Sequence, residues 1–166
     1  MKKILLAITS LVLTATLSAS GSHINLYGGS SSQINSESGY TFGTGYDFIF
    51  TKPKATAIEI GLGLDVLYNS VKNDHSYNGD LSLLIGFKKN SFAVRTGVGY
   101  GIGSGTISQK DFTQSGLVYS AGAEYDFTNR IGIGLKYKVQ DFDMEFTNTT
   151  QNGKTKNVLM YFYFRK

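Results

Sequence analysis

The feature that most constrains this chain is a two-residue alternation of apolar and polar side chains along most of its length. One segment places Ile58, Ile60 and Leu62 on one face. Glu59 and Gly61 fall between them and occupy the other face. Successive side chains of a β-strand point to opposite faces, whereas a helix repeats about every 3.6 residues. The alternation therefore predicts an all-β protein and excludes a generally helical one.

The pattern recurs and predicts eight strands, of which the first is the least distinct. Turn residues separate neighbouring segments, which favours antiparallel strands joined in an up-and-down order. The predicted strands cover residues 24–28, 40–50, 58–68, 77–87, 92–102, 117–127, 131–139 and 158–164.

Two soluble folds also use alternating strands, namely a β-sandwich and a lipocalin-like barrel with an apolar interior. The length of the apolar faces favours an inverted barrel instead, because tilted strands need about 9–11 residues to cross a bilayer and soluble strands average about 5–6. The polar faces are rich in Gly, Ser and charged residues, which suits a crowded interior better than a solvated surface. The sequence therefore predicts an eight-stranded transmembrane β-barrel.

The predicted connections alternate between short and long, as they do in outer-membrane barrels. Short turns are predicted at residues 52–54, 88–90 and 128–130. Longer loops are predicted at residues 33–38, 70–76, 104–114 and 140–156. Within the last of these, acidic and apolar residues alternate at 141–146, so a hairpin that projects beyond the membrane is a second interpretation.

The faces predicted to line the interior carry both signs of charge. An eight-stranded barrel is just wide enough for side chains to fill it, so these charges are expected to form ion pairs within a packed polar core. The expected ion-pair network comprises Asp47, Glu59, Asp65, Asp80, Arg95, Glu124, Asp126, Lys136 and Lys138. Glu59 is expected to reach Arg95 across the interior.

When the first strand is assumed to start on the periplasmic side, Phe residues fall near the periplasmic ends of the strands and Tyr residues fall near the outer ends. Such sorting predicts a girdle of aromatic side chains at each membrane interface. The expected periplasmic girdle is Phe48, Phe50, Phe87, Phe92, Phe127, Phe162 and Phe164. The expected outer girdle is Tyr40, Tyr68, Tyr77, Tyr100, Tyr119 and Tyr137.

The first 21 residues have the order of a secretory signal peptide. Lys2 and Lys3 precede an apolar stretch at residues 4–17, and small residues follow. The stretch is shorter than the roughly 20 residues of a membrane-spanning helix. We therefore expect residues 1–21 to be cleaved and residues 22–166 to form the barrel.

Composition excludes several other classes of function. The chain has no Cys, so disulfides do not stabilise it. Its formal net charge is +4 and falls to +2 when Lys2 and Lys3 are removed, which is too little to indicate nucleic-acid binding. The glycines lie within strands and do not form a phosphate-binding loop, and no cofactor or metal site is predicted.

With these features, residues 22–164 resemble the small eight-stranded outer-membrane β-barrels of the OmpA transmembrane-domain and OmpX type. The resemblance implies location in a bacterial outer membrane, in contact with its lipid and lipopolysaccharide. Such barrels end in an aromatic signal for the barrel-assembly machinery, which Val158, Met160, Phe162 and Phe164 match. Arg165 and Lys166 follow the last Phe and depart from that pattern.

The expected function is a structural or adhesion-type role carried by the outer loops, without enzymatic activity. A small pore is the alternative, although the interior is narrow. Some barrels of this size act on lipid A with a His, a Ser and an acidic residue. The run Asp74, His75, Ser76 contains those types, but adjacent residues of a polar turn do not define a nucleophile and its base.

Overall fold

The computed structural model describes residues 21–32, 38–51, 56–146 and 149–166. The leader predicted over residues 1–21 lies outside these ranges except for Gly21. The turn predicted at residues 52–54 also lies outside them. Among the described residues, no helix is long and apolar enough to cross a membrane.

Eight antiparallel strands form a closed ring in sequence order, with β8 paired to β1. This confirms the predicted all-β, up-and-down barrel. The strands are β1 Gly21–Ser32, β2 Ser38–Ile49, β3 Thr56–Val71, β4 Asp74–Lys89, β5 Phe92–Ile107, β6 Lys110–Asp126, β7 Ile131–Phe146 and β8 Thr149–Arg165.

The two ends of the barrel differ in their connections. We call the end that carries the β1–β2, β3–β4, β5–β6 and β7–β8 connections the hairpin end. The opposite end holds Gly21 and Arg165, together with the three remaining connections, and we call it the terminal end.

The apolar face of each strand points outward. Ile58 is 65% exposed and Leu135 is 57% exposed, although both are strongly apolar. Their sequence neighbours Glu59 and Lys136 are buried. This arrangement is the reverse of a lipocalin-like barrel, in which the apolar face lies inside.

Three connections at the hairpin end differ from the predicted long loops, whereas the loop predicted at residues 33–38 lies outside the described residues except for Ser38. Residues 70–76 and 104–114 belong mostly to strands and contain only tight turns at residues 72–73 and 108–109. Ser108 and Gln109 both have positive φ, at 50° and 64°, as a two-residue hairpin turn of type I′ requires. The pair Ser108-Gln109 is not the Asn-Gly or Asp-Gly pair that normally signals such a turn, so the sequence at this point predicts a loop.

The predicted loop at residues 140–156 is also mostly strand. Pairing of β7 with β8 continues to Phe146 and Thr149, as the projecting-hairpin interpretation proposed. Pairing of β8 with β1 stops earlier, at Lys156 and Ser32. The outer part of β8 therefore has a strand partner on one side only among the described residues.

The interior of the projecting region is apolar. Phe112, Phe142 and Met144 are buried together there, and Ile107 and Phe146 lie against them. Deeper in the barrel the interior is polar and charged, and that part forms the candidate site.

Candidate functional site

The nine charged residues of the expected network all lie on inward-facing strand positions. Eight of them are buried, and Asp126 is partly buried near the terminal end. The structure places eight of them in three groups along the barrel axis, and Asp47 lies outside these groups. Because a barrel of eight strands has room for side chains but not for a wide channel, each group occupies most of its cross-section.

The first group, which we call the lysine cluster, lies toward the hairpin end. Lys138 Nζ is 2.9 Å from Asp65 Oδ2 and also pairs with Asp80. Lys136 Nζ is 3.3 Å from the same Asp65 oxygen. The Tyr27 hydroxyl accepts a hydrogen bond from Lys136 and donates one to Asp65 Oδ1 at 2.6 Å. Two cations thus balance two carboxylates within one hydrogen-bonded unit.

The second group, which we call the arginine cluster, lies nearer the terminal end. Arg95 Nη2 is 2.7 Å from Glu59 Oε2, so the contact across the interior joins β5 to β3. The same guanidinium pairs with Glu124 of β6. The Tyr161 hydroxyl donates to Glu124 Oε1 at 2.7 Å. One cation faces two carboxylates here, and all three side chains are buried.

The third group, which we call the terminal rim, closes the terminal end. Asp126 accepts from Lys88 Nζ at 2.7 Å and from Arg165 Nη1 at 2.9 Å. The Tyr163 hydroxyl also donates to Asp126. Arg165 Nε donates to His23 Nε2 at 2.9 Å, which joins the last strand to the first.

Asp47 belongs to none of these groups, although it is buried. Asn25 donates to its Oδ2 at 2.9 Å, and no ion pair to Asp47 occurs among the described residues. A cavity of about 10 Å³ lies among Asp47, Arg95, Glu124 and Lys136. That volume is about the size of one water molecule.

Six further residues of the interior were not predicted as members of the network. Alternation alone predicts that some of them point inward, because Tyr163 lies between the outward residues Phe162 and Phe164, and Arg165 follows them. Predicting their contacts requires the pairing of β8 with β1, which joins residues distant in sequence. The added residues are His23, Tyr27, Lys88, Tyr161, Tyr163 and Arg165.

Glycines on β7 make room for the inward tyrosines of β8. A Cβ at Gly134 would overlap the ring of Tyr161, and one at Gly132 would overlap the ring of Tyr163. The absence of side chains at these positions allows the two rings to lie against the neighbouring strand. Their hydroxyl groups then reach Glu124 and Asp126.

The residues of the two expected aromatic girdles are mostly exposed on the outer surface. The Phe residues lie toward the terminal end, Tyr40, Tyr68 and Tyr77 lie toward the hairpin end, and Tyr100, Tyr119 and Tyr137 lie near the middle of β5, β6 and β7. Phe48 differs, since it is only 4% exposed and its ring lies 4.6 Å from that of Tyr46. It is therefore covered by protein and is not open to the surroundings. Phe50 is half-buried and follows the end of β2, and Tyr68 is half-buried between Phe42 and Tyr77.

The run Asp74, His75, Ser76 starts β4 and does not bring its three side chains to one point. Ser76 is buried and accepts a hydrogen bond from Asn69 inside the barrel. His75 occupies the opposite face of the strand and lies near the ring of Tyr77. A nucleophile and its base must share one side of a site, so this arrangement is not that of a catalytic triad.

The chain matches one protein family. The model of the family described as outer membrane protein beta-barrel domain matches residues 9–161. No curated protein is similar enough to the chain to count as a match.

Several solved structures have the same fold at low sequence identity. Ail, the attachment invasion locus protein of Yersinia pestis, is 12% identical with a TM-score of 0.63, covering 89% of this chain and 99% of that one. The N-terminal β-barrel domain of Pseudomonas aeruginosa OprF is also 12% identical with a TM-score of 0.63, covering 89% and 98%. The outer membrane enzyme PagL is 12% identical with a TM-score of 0.50, covering 84% and 97%. These neighbours include an enzyme, and at such identity they show the fold alone.

Proposed function

Because the chain belongs to the outer membrane protein beta-barrel domain family, we propose that it is a closed outer-membrane barrel whose hairpin end binds other proteins. The barrel itself has a structural role in this proposal. The outward apolar faces contact lipid and lipopolysaccharide, and the exposed aromatic residues lie at the two interfaces. Val158, Met160, Phe162 and Phe164 form an exposed row on β8 that suits recognition by the barrel-assembly machinery.

The charged interior supports a closed barrel. The lysine cluster, the arginine cluster and the terminal rim occupy successive levels, and the cavity between the first two holds about 10 Å³. Opening a path would require separating buried ion pairs, and removing a partner from such a pair costs about 3–5 kcal/mol. This cost favours a structural core over a pore.

The observation that carries the binding role is the edge of β8 that has no strand partner among the described residues. Residues 149–155 pair with β7 on one side and have no β1 partner among the described residues, because pairing with β1 begins at Lys156. An unpaired strand edge presents backbone N–H and C=O groups that can pair with another strand.

The composition of this edge leaves it open to a partner. It contains no Pro, and its one charged residue, Lys154, is paired with Asp141 at 3.0 Å. Natural edge strands are commonly protected by lysines or prolines that prevent pairing. The partner that fits is an extended protein segment that adds a strand to β8. A barrel of the same fold, Ail, is named an attachment invasion locus protein, which agrees with such a role.

The edge can be tested with two prolines at adjacent positions, Asn152→Pro and Gly153→Pro. Neighbouring residues direct their N–H groups to opposite sides of a strand, so one proline removes a bond to β7 and the other removes only an N–H at the free edge. The protein is placed in lipid nanodiscs and used to select binders from a displayed library of random peptides. We expect extended peptides with alternating apolar residues.

The expected result is that the free-edge proline keeps the folded barrel, measured as heat-modifiable migration on a gel, and loses peptide binding. Peptides that bind this variant as well as the parent protein would contradict edge pairing. Planar-bilayer recording tests the closed interior separately. Steady, reproducible conductance steps from the purified protein would overturn it.

A further inference from the structure

Three donor side chains from different strands converge in the interior beside Arg95. His23 lies on β1, Asp47 on β2 and Glu124 on β6. One ring nitrogen and one oxygen from each carboxylate lie within 4.8 Å of one another, and all three residues are buried. His23 and Asp47 are direct partners in the β1–β2 register, so the barrel wall fixes their spacing.

The charges around this point do not balance. Asp47, Glu59 and Glu124 place three carboxylates around a single guanidinium, that of Arg95. The lysine cluster next to them is neutral in itself, because Lys136 and Lys138 match Asp65 and Asp80. The three carboxylates exceed Arg95 by two charges, and the terminal rim offsets one of these, because both Lys88 and Arg165 face Asp126 there. One negative charge is thus left without a cation, and buried charges are tolerated only when they are paired or coordinate a metal.

Two buried carboxylate oxygens also lack a hydrogen-bond partner. They are Asp47 Oδ1 and Glu124 Oε2, and both residues line the small cavity described above. Their side chains are 3% and 4% exposed, so bulk water does not satisfy them. Unsatisfied buried polar atoms are rare in folded proteins and require an explanation.

We propose that His23, Asp47 and Glu124 bind one divalent transition-metal ion of the Zn²⁺ type. An imidazole with two carboxylates is a donor set that such ions accept at about 2.0–2.2 Å. A double positive charge would neutralise the excess of the three carboxylates over Arg95. The two unpartnered oxygens would become ligands, and the ligand atoms would need to close by roughly one ångström from their present spacing.

Two arginines determine how the ion fits beside His23. Arg95 Nη1 lies 3.4 Å from His23 Nδ1, and Arg165 Nε donates to Nε2 at 2.9 Å. Nδ1 faces the arginine cluster and is the nitrogen that would bind the ion, which puts the ring proton on Nε2. Arg165 would then release His23 and keep Asp126. Arg95 would release Glu124, because its Nη1 group lies between Glu124 and Nδ1, and would keep Glu59. Replacing Arg165 by Gln supplies an acceptor for the Nε2 proton, so this variant should bind the ion more tightly.

The test uses Co²⁺ as a spectroscopic substitute for Zn²⁺. Purified protein is stripped of metal, refolded in detergent with Co²⁺ and titrated by visible absorption. We expect one Co²⁺ per chain with ligand-field bands. His23→Gln should abolish the bands, and Asp47→Asn should weaken binding by at least about tenfold. His75→Gln is the matched control, because His75 is the other histidine and lies on the outer face, and it should bind as the parent protein does.

Folding is verified in each variant by heat-modifiable migration, and Asp47→Asn serves if His23→Gln does not fold. Absence of Co²⁺ bands in the parent protein would overturn the proposal. So would equal binding by His23→Gln and His75→Gln, which would place the ion on the surface. In metal-free buffer Asp47→Asn should raise the urea midpoint, because it removes one unbalanced charge. With metal present it should lower the midpoint relative to the parent protein. An increase in the urea midpoint of Asp47→Asn in both conditions would show that a proton, and not a metal ion, balances the charge of Asp47. This result would also overturn the proposal.

Discussion

Along β7, the outward side chains change from Leu135, Tyr137 and Val139 to Asp141 and Asp143 within a few residues. The inward side chains change in the opposite sense at the same level. Lys136, Lys138 and Gln140 give way to Phe142 and Met144. The strand and its two-residue period are continuous across this point, and only the polarity of the two faces is exchanged.

We call the part of the barrel with apolar outward faces the wall, and the part beyond the exchange the projecting hairpins. The medium around each part determines which face its apolar side chains occupy. Where lipid surrounds the barrel, apolar residues face outward and charges are paired inside. Where water surrounds it, the apolar residues turn inward and form a small core. The exchange near Val139 and Asp141 therefore predicts that one margin of the membrane lies at this point of the strand.

The largest expected effect on the free energy of unfolding comes from the buried charges inside the barrel. Arg95→Met removes the only cation of the arginine cluster and leaves the Glu59 and Glu124 carboxylates buried without a cation. We expect the free energy of unfolding to fall by about 3–5 kcal/mol, measured by urea unfolding in lipid vesicles. Adding Glu59→Gln and Glu124→Gln to this variant should restore most of the loss. A loss below about 1 kcal/mol for Arg95→Met would show that water enters the interior.

A second test places a charge on the lipid-facing side of β7 at two depths. Leu135→Arg should cost about 2–4 kcal/mol because it lies within the lipid, whereas Val139→Arg should cost about 0–1 kcal/mol at the margin. Both residues point outward, so each serves as the control for the other. Equal costs in the same vesicle unfolding assay would place the margin elsewhere.

A third test addresses the apolar interior of the hairpins. Met144→Ala should cost about 2 kcal/mol, the low end for this truncation in a packed interior, because the cluster is small. The loss should appear as faster hydrogen exchange in residues 110–115 and 142–152. Met160→Ala is the matched control, since Met160 is 57% exposed on the outer face and should leave that exchange unchanged.

The smallest effect is expected for the ion pair on the outer surface of the hairpins. Lys154 and Asp141 are about half exposed, so water and salt screen their attraction. Lys154→Ala should change the free energy of unfolding by less than about 1 kcal/mol. A double-mutant cycle with Asp141→Ala measures the pair directly, and a coupling as large as that expected for Arg95 would contradict the difference between the two regions.

The wall could be predicted from the sequence because its faces are set by local alternation. Ile58 and Glu59 differ in polarity and occupy opposite faces whatever the strand pairing. The hairpins were predicted as loops because their outward residues are polar, and Ser108 and Gln109 do not carry the usual turn signature. Phe142 and Met144 form a core because the inward face is apolar in the hairpins, whereas it is polar in the wall.

The detailed contacts of the interior depend on register and ring closure, which the sequence does not display. Arg165 was identified only as a departure from the usual last residue. Arg165 on β8 reaches His23 because β1 lies beside β8 in the closed ring. It reaches Asp126 on β6 across β7, which lies between β6 and β8. The burial of Phe48 likewise does not follow from its alternation, which would place it on the open surface.

The bond from Arg165 to His23 joins side chains 142 positions apart, across the junction of the first and last strands. Neighbouring hairpins can assemble from nearby segments, but this junction must wait until nearly the whole polypeptide is present. Bringing such distant segments together carries an entropic cost that short connections avoid. Pairing of the first and last strands is thus expected to be the late and slow step of assembly, and Arg165 contributes a side-chain bond to it.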